Sequence, residues 1–151
     1  MKLCFVSLVS LTIATAASIG NSTDSAGTTT LTSMQKRYHI LPLFKGDWLT
    51  ANMYCRLKDM RSISISTKEE NDQIGKIIQD AGYNNLNFWA SGRRFDGRFH
   101  WFDSAKQINF TNWAYGEPDN RGDCFTVYNW GWYVNSCSND YHIMCEEDVL
   151  H

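Results

Sequence analysis

Between Gly116 and Cys137 the chain gathers Glu117-Pro118-Asp119, Arg121-Gly122-Asp123, two cysteines and a run of large aromatics. Ionised carboxylates are acceptors only. Several of them in one polar loop suit three kinds of ligand: a hard cation, which takes oxygen ligands, a sugar, whose hydroxyls donate to them, or a protein partner. Trp130, Trp132 and Tyr133 could stack on a sugar's apolar face, but at alternating spacing they also stiffen a strand or fill a core. Arg121-Gly122-Asp123 is the triplet that would engage an integrin-type receptor from an exposed loop. Three-residue matches arise often by chance, and Cys124 directly after it restrains the loop. The histidines are scattered, and neither a nucleophile–base pair nor metal-ligand spacing occurs, so the reading is not an enzyme.

The elements that must position this loop are legible upstream. Tyr38–Phe44 is β-rich, with Pro42 suggesting an edge. Asp47 reads as the N-cap of a helix that places Trp48, Ala51 and Cys55 on one face. Arg61–Ser66 alternates as a strand does. Thr67 with Glu70 makes a capping box, Ser66 with Glu69 a second in the adjacent register. The helix that follows carries Ile74, Ile77 and Ile78 and stops near Gly82. Leu86–Ser91 and Phe99–Phe102 are aromatic strand segments, and Asp96-Gly97 is a two-residue hairpin turn. Arg93, Arg94 and Arg98 flank that turn as a solvated hairpin or a cationic patch for acidic sugars. Helices followed by a run of strands make an α+β layout.

The chain has 151 residues and a formal charge of −2, enough for one domain and with no bulk charge to draw nucleic acid or an anionic membrane. Residues 1–17 read as a secretory signal peptide: Lys2, then an apolar run ending in small residues, too short to span a bilayer. No later segment is long enough to span one either. Residues 18–36 are a Ser/Thr-rich flexible tail with a glycosylation sequon at Asn21. A second sequon stands at Asn109. Losing Cys4 with the signal leaves Cys55, Cys124, Cys137 and Cys145. A zinc site is the alternative for this set, but export and an even number favour disulfides. Three pairings remain open on this ground.

From residue 37 to 148 the order of elements resembles the C-type lectin-like domain family. The matching residues are Trp48 and Cys55, Phe88-Trp89-Ala90-Ser91-Gly92, Trp101-Phe102-Asp103, Asn112-Trp113, Gly116-Glu117-Pro118-Asp119, Cys124, Cys137 and Cys145-Glu146. The resemblance implies two helices on a mixed, mainly antiparallel sheet, a long binding loop, and the bridges Cys55–Cys145 and Cys124–Cys137. It also implies a cis bond before Pro118 and a calcium ion, coordinated directly by the sugar. Glu117 and Asp119 match two of the family's ligands. The other ligand positions hold Gly122, Tyr133 and Val134, so the implied Ca2+ site is incomplete unless Asp123 rebuilds it beside Asn120.

The resulting expectation is a secreted lectin. It would bind glycans or glycoproteins through Glu117, Asp119, Asn120 and Asp123, with calcium on Glu117, Asp119 and Asp123. The alternative is a calcium-independent C-type lectin-like module that uses this loop, or the Arg93–Arg98 hairpin, against a protein.

Overall fold

The computed structural model describes residues 34–150. The expected signal peptide, most of the expected tail and Asn21 lie outside them. Strand β1 (Met34–Gly46) opens the domain and pairs antiparallel along its length with the last strand, β7 (Tyr141–Leu150). The pair therefore reaches beyond both expected boundaries, β1 starting upstream of 37 and β7 running past 148. Lys36, assigned to the tail, is within it: its Nζ donates to the Ser64 carbonyl at 2.6 Å and pairs with Glu70 at 3.1 Å and Glu146 at 3.4 Å. Polar, unalternating Met34–Arg37 becomes strand because β7 offers it a partner, a pairing of residues at opposite ends of the domain.

Helix α1 (Trp48–Arg56) begins where expected, with Asp47 Oδ1 accepting from the Thr50 N–H at 2.7 Å. It buries Trp48, Ala51, Asn52 and Cys55. Strand β2 is only Arg61–Ser62, shorter than the Arg61–Ser66 alternation predicts. The Ile63 N–H still donates to the Met144 carbonyl of β7 at 3.3 Å, and beyond it the regular pairing ends, yet Ile65 stays fully buried. Alternation marked Ile63 and Ile65 as core, missed the buried Ser62 and overstated the pairing. Helix α2 (Lys68–Asp80) takes Thr67 as its N-cap, and Glu70 reaches back to the N–H of Ser66 at 2.6 Å. Its first turn carries Glu69 and Glu70, the charge sign a helix N-terminus favours.

Strands β3 (Phe88–Phe95) and β4 (Arg98–Trp101) form the expected hairpin. Asp96 and Gly97 both take positive φ, 49° and 75°, the backbone that a two-residue primed turn requires and that Asp-Gly accepts. Strands β5 (Cys124–Tyr128) and β6 (Gly131–Asn135) form another, turning at Asn129 and Trp130. The strand order is β1-β7-β3-β5-β6, with β2 on β7 and β4 on β3. Among the named strands the β3–β7 contact, Phe88 to His142, is parallel and the other pairings are antiparallel; an isolated bridge from Trp113 to Trp132 is parallel too. This is the mixed, mainly antiparallel sheet of the expectation, and both implied bridges, Cys55–Cys145 and Cys124–Cys137, are formed.

The core is aromatic. Trp132 is fully buried, stacked on Phe125 at 5.0 Å and edge-on to Trp101, Phe110 and Trp113. Such pairs add about 0.5–1.5 kcal/mol beyond the area they bury. Three buried indoles each place their N–H on an acceptor at 2.9 Å: Trp48 on Ala90 O, Trp89 on Gly46 O and Trp132 on Asn71 Oδ1. The last bond ties α2 to β6, directly behind the loop.

Candidate functional site

The segment between β4 and β5, residues 102–123, contains no strand and carries the loop. Its far end is tied to the sheet by the Ala114 N–H on Trp132 O at 3.0 Å and the Trp132 N–H on Asn112 O at 3.0 Å. From there the chain turns outward. Tyr115 is fully exposed, the Glu117–Pro118 peptide is cis, and the chain returns through Asp119 and Arg121 to β5.

Glu117 is the inner post of this loop. Its side chain is only 4 % exposed. Oε2 accepts from the N–H of Asp119 and that of Val134, each at 3.1 Å, while Oε1 pairs with the Arg121 guanidinium. A buried carboxylate without partners would cost several kcal/mol, so these three donors offset its burial there. Asp119 forms the outer post: Oδ1 accepts from the Arg121 N–H at 2.9 Å, and Oδ2 from Arg121 Nε. The backbone N–H of Arg121, with its guanidinium behind it, holds the Asp119 carboxyl below the usual carboxylate range. Arg121 is held above its own ordinary value, first by its bond to Asp119.

Arg94 braces the loop from the sheet. One terminal nitrogen donates to the Asp119 carbonyl at 2.5 Å and the other to Asn120 Oδ1 at 3.2 Å. Its backbone N–H donates to the Asp123 carbonyl at 2.6 Å, and its guanidinium lies 4.9 Å from the Phe99 ring centre. The sequence places Arg94 with the hairpin patch and Arg121 in the Arg-Gly-Asp triplet, and assigns neither to the carboxylate site. Arg121 next to two carboxylates was a visible signal, masked by its place in the Arg-Gly-Asp triplet. Arg94 reaches Asp119 and Asn120 from another strand, and no local pattern reveals that.

The predicted site residues are thus only partly brought together. Glu117 and Asp119 share one guanidinium, and Asn120 is held beside them by Arg94. Asp123 does not join: no group of three or more His, Cys, Asp or Glu side chains converges among the described residues. Its backbone is committed to Arg94 of β3 at the start of β5, and its side chain lies on the exposed side of that junction. The Arg-Gly-Asp triplet is not a projecting tip, because the Arg121 guanidinium is engaged and Gly122 lies against β6. A Cβ on Gly122 would stand 2.0 Å from the Asn135 carbonyl oxygen. Trp132, a candidate sugar platform, lies wholly in the core. Trp130 stands over Gly75 of α2, where a Cβ would meet its ring at 2.2 Å. Of the hairpin arginines, Arg93 lies 5.6 Å from the Trp48 ring and Arg98 donates to Gln107 at 3.3 Å, so they do not form one cationic patch with Arg94. Asn109 is exposed, while Phe110 beside it packs on the core.

Calcium asks for six to eight oxygen ligands, and the donor set does not fit it. Every oxygen of Glu117 and Asp119 already accepts from an N–H. Val134 turns an N–H donor toward the site, not an oxygen. Gly122 has no room for a side chain.

A family model described as the lectin C-type domain matches residues 45–147. Perlucin of Haliotis laevigata is 30% identical over 115 residues, covering 70% of this chain and 73% of that protein. C-type lectin mosGCTL-7 of Culex quinquefasciatus is 25% identical over 128 residues, covering 74% of each. Among solved structures, the carbohydrate-recognition domain of human scavenger receptor C-type lectin superposes with a TM-score of 0.67 at 25% identity, covering 76% of this chain and 92% of that one. Human lithostathine gives 0.68 at 20% identity, covering 76% and 92%, a likeness of fold alone. Among the described residues no helix is long and apolar enough to cross a membrane.

Proposed function

The chain belongs to the C-type lectin domain family, and from that premise we propose that it is a secreted lectin that holds glycans non-covalently on the loop from Tyr115 to Asp123. One observation carries the reading. Asp119 and Arg121 stand side by side on a braced loop, an acceptor next to a donor, and neighbouring sugar hydroxyls need both. Tyr115, fully exposed just before Glu117, adds an aromatic plane for the apolar face of a ring. Glu117 stays behind as the support of this pair. Asn120 flanks it, and Asp123 lies at its rim.

Export rests on the signal-like residues 1–17 and on two disulfides, which persist in oxidising compartments. Glycans on Asn21 and on the exposed Asn109 belong to the same reading, and a mass shift on enzymatic deglycosylation checks them.

The test is retention of the purified mature chain on mannose and galactose resins, with Asp119→Ala and Tyr115→Ala alongside. Retention of the wild type, reduced at least about tenfold by Asp119→Ala, supports the lectin. Absence of retention on either sugar removes it. A protein-interaction module is the second reading, favoured by Phe95, 76% exposed at the hairpin tip between Arg93 and Arg98. In that case Phe95→Ser would abolish partner binding and leave the sugar resins unaffected.

A further inference from the structure

We propose that Arg121 is the resident cation of this loop: its guanidinium takes the place between Glu117 and Asp119 that the family gives to calcium, and its remaining N–H groups donate to ligand hydroxyls. Calcium is then neither required nor bound. The sugar arm of this proposal rests on the glycan reading above. The statement about the cation does not.

Arg121 spans the two carboxylates, with Nε on Asp119 and a terminal nitrogen on Glu117. Its backbone N–H closes on Asp119 Oδ1 at 2.9 Å, so the cation is delivered by the same short turn that holds its counter-charges. A guanidinium has five N–H donors in a fixed fork and stays charged. Two of the five are committed to the carboxylates, which leaves three for a ligand on a side chain that is 61% exposed. A bound metal ion attracts hydroxyl oxygens by its charge, and a charged fork of N–H groups attracts the same atoms by donation. It also provides the donor that a pair of carboxylates lacks.

Three further features disfavour an exchange of guanidinium for calcium. Arg94 presents a second cation to Asp119 and Asn120. Those bonds go to the Asp119 carbonyl and the Asn120 amide oxygen, and they hold the Arg94 charge near enough to the Asp119 carboxyl to add to that of Arg121 against a divalent ion. The Val134 N–H is directed at Glu117 Oε2, where a metal ion would have to compete with a donor. Gly122 is wedged on the Asn135 backbone, so a carboxylate there would force β5 and β6 apart.

The experiment uses the mature wild-type chain with Arg121→Gln and Arg121→Lys. Without any sugar, calcium is titrated while the backbone amides of Gly122 and Asp123 are followed by NMR. The concentration is carried beyond about 1 mM, the weak end for extracellular calcium modules. The wild type is expected to show no saturable shift. Saturable calcium binding by the wild type would overturn the proposal whatever happens with sugars. On the resins, wild-type retention should be the same in calcium and in chelator, fall at least about tenfold in Arg121→Gln, and be partly kept in Arg121→Lys. Retention that chelator abolishes, or that Arg121→Gln leaves intact, also overturns it. If the wild type retains on neither sugar in either buffer, the glycan reading and the sugar arm fail together, while the calcium titration still decides the role of Arg121. Should Arg121→Gln not fold, the wild-type titration and the Lys variant carry the decision.

Discussion

The two disulfides cross-link the chain at different ranges, and cutting each should have a different cost. Cys55 and Cys145 are separated by 90 residues, Cys124 and Cys137 by 13. Loop-closure entropy assigns about 4.6 kcal/mol to the long bridge and about 3 kcal/mol to the short one. For a domain of this size roughly 4 °C of melting temperature accompanies each kcal/mol. The double variant Cys124→Ala/Cys137→Ala should therefore melt about 12 °C lower, and Cys55→Ala/Cys145→Ala about 18 °C lower. The first should stay folded at 25 °C, because the β5–β6 ladder pairs Cys124 with Asn135 without the bridge and the Trp48 N–H holds the Cys137 carbonyl at 2.9 Å. What it should lose is the fixed base of the Tyr115–Asp123 loop. Near-UV circular dichroism through a thermal melt, with peptide mapping under non-reducing conditions, reads both effects. A short-bridge variant that melts lower than the long-bridge variant, or a map that joins Cys55 to Cys124, would refute the reasoning.

Three further outcomes are expected. Gly122→Ala should cost about 1–3 kcal/mol by overpacking against the Asn135 backbone, and Gly122→Glu should destabilise without creating a calcium site; chemical denaturation and calcium calorimetry check the pair. Trp132→Phe removes the donor of the buried Asn71 carbonyl and should cost about 1–3 kcal/mol, part of which Asn71→Leu in the same chain returns, as a double-mutant cycle would read. His142 is buried with Nδ1 unpartnered; desolvation, then the charge of Lys45, lowers its folded pKa, against a smaller opposite pull from the Pro42 carbonyl. A lowered histidine pKa means the unfolded chain binds the proton first. Stability should therefore fall as pH drops through about 6.5 toward the folded value, and His142→Gln should flatten that slope in melts at stepped pH.

Much of the scaffold was legible in the sequence because its signals are local. Asp47 and Thr67 cap helices within three residues of themselves, and Asp96-Gly97 turns a hairpin by its own backbone preference. Pairings across the chain were not legible. β1 extends to Met34 only because β7 lies beside it, and Ile65 keeps the alternation of a strand after the pairing with β7 has ended. The Asn129–Trp130 turn escaped notice because Trp at positive φ is uncommon; here its ring rests on bare Gly75. The site divides the same way. Glu117 and Asp119 were found from their residue types, and comparing ligand positions already left the metal set short at Gly122, Tyr133 and Val134. That Arg121 occupies both carboxylates follows from side-chain geometry, as does the bracing by Arg94, and neither has a fixed spacing to read. The same geometry removed Asp123 from the metal set and Trp132 from the surface.

The most direct test of the account is one glycan array read in two buffers, one with calcium and one with chelator. The same glycans should bind with the same intensity in both, and the signal should outlast acidification further than an ordinary carboxylate would allow, because the Arg121 backbone N–H and then its guanidinium hold the Asp119 carboxyl below its usual range. A pattern present in calcium and absent in chelator would contradict it.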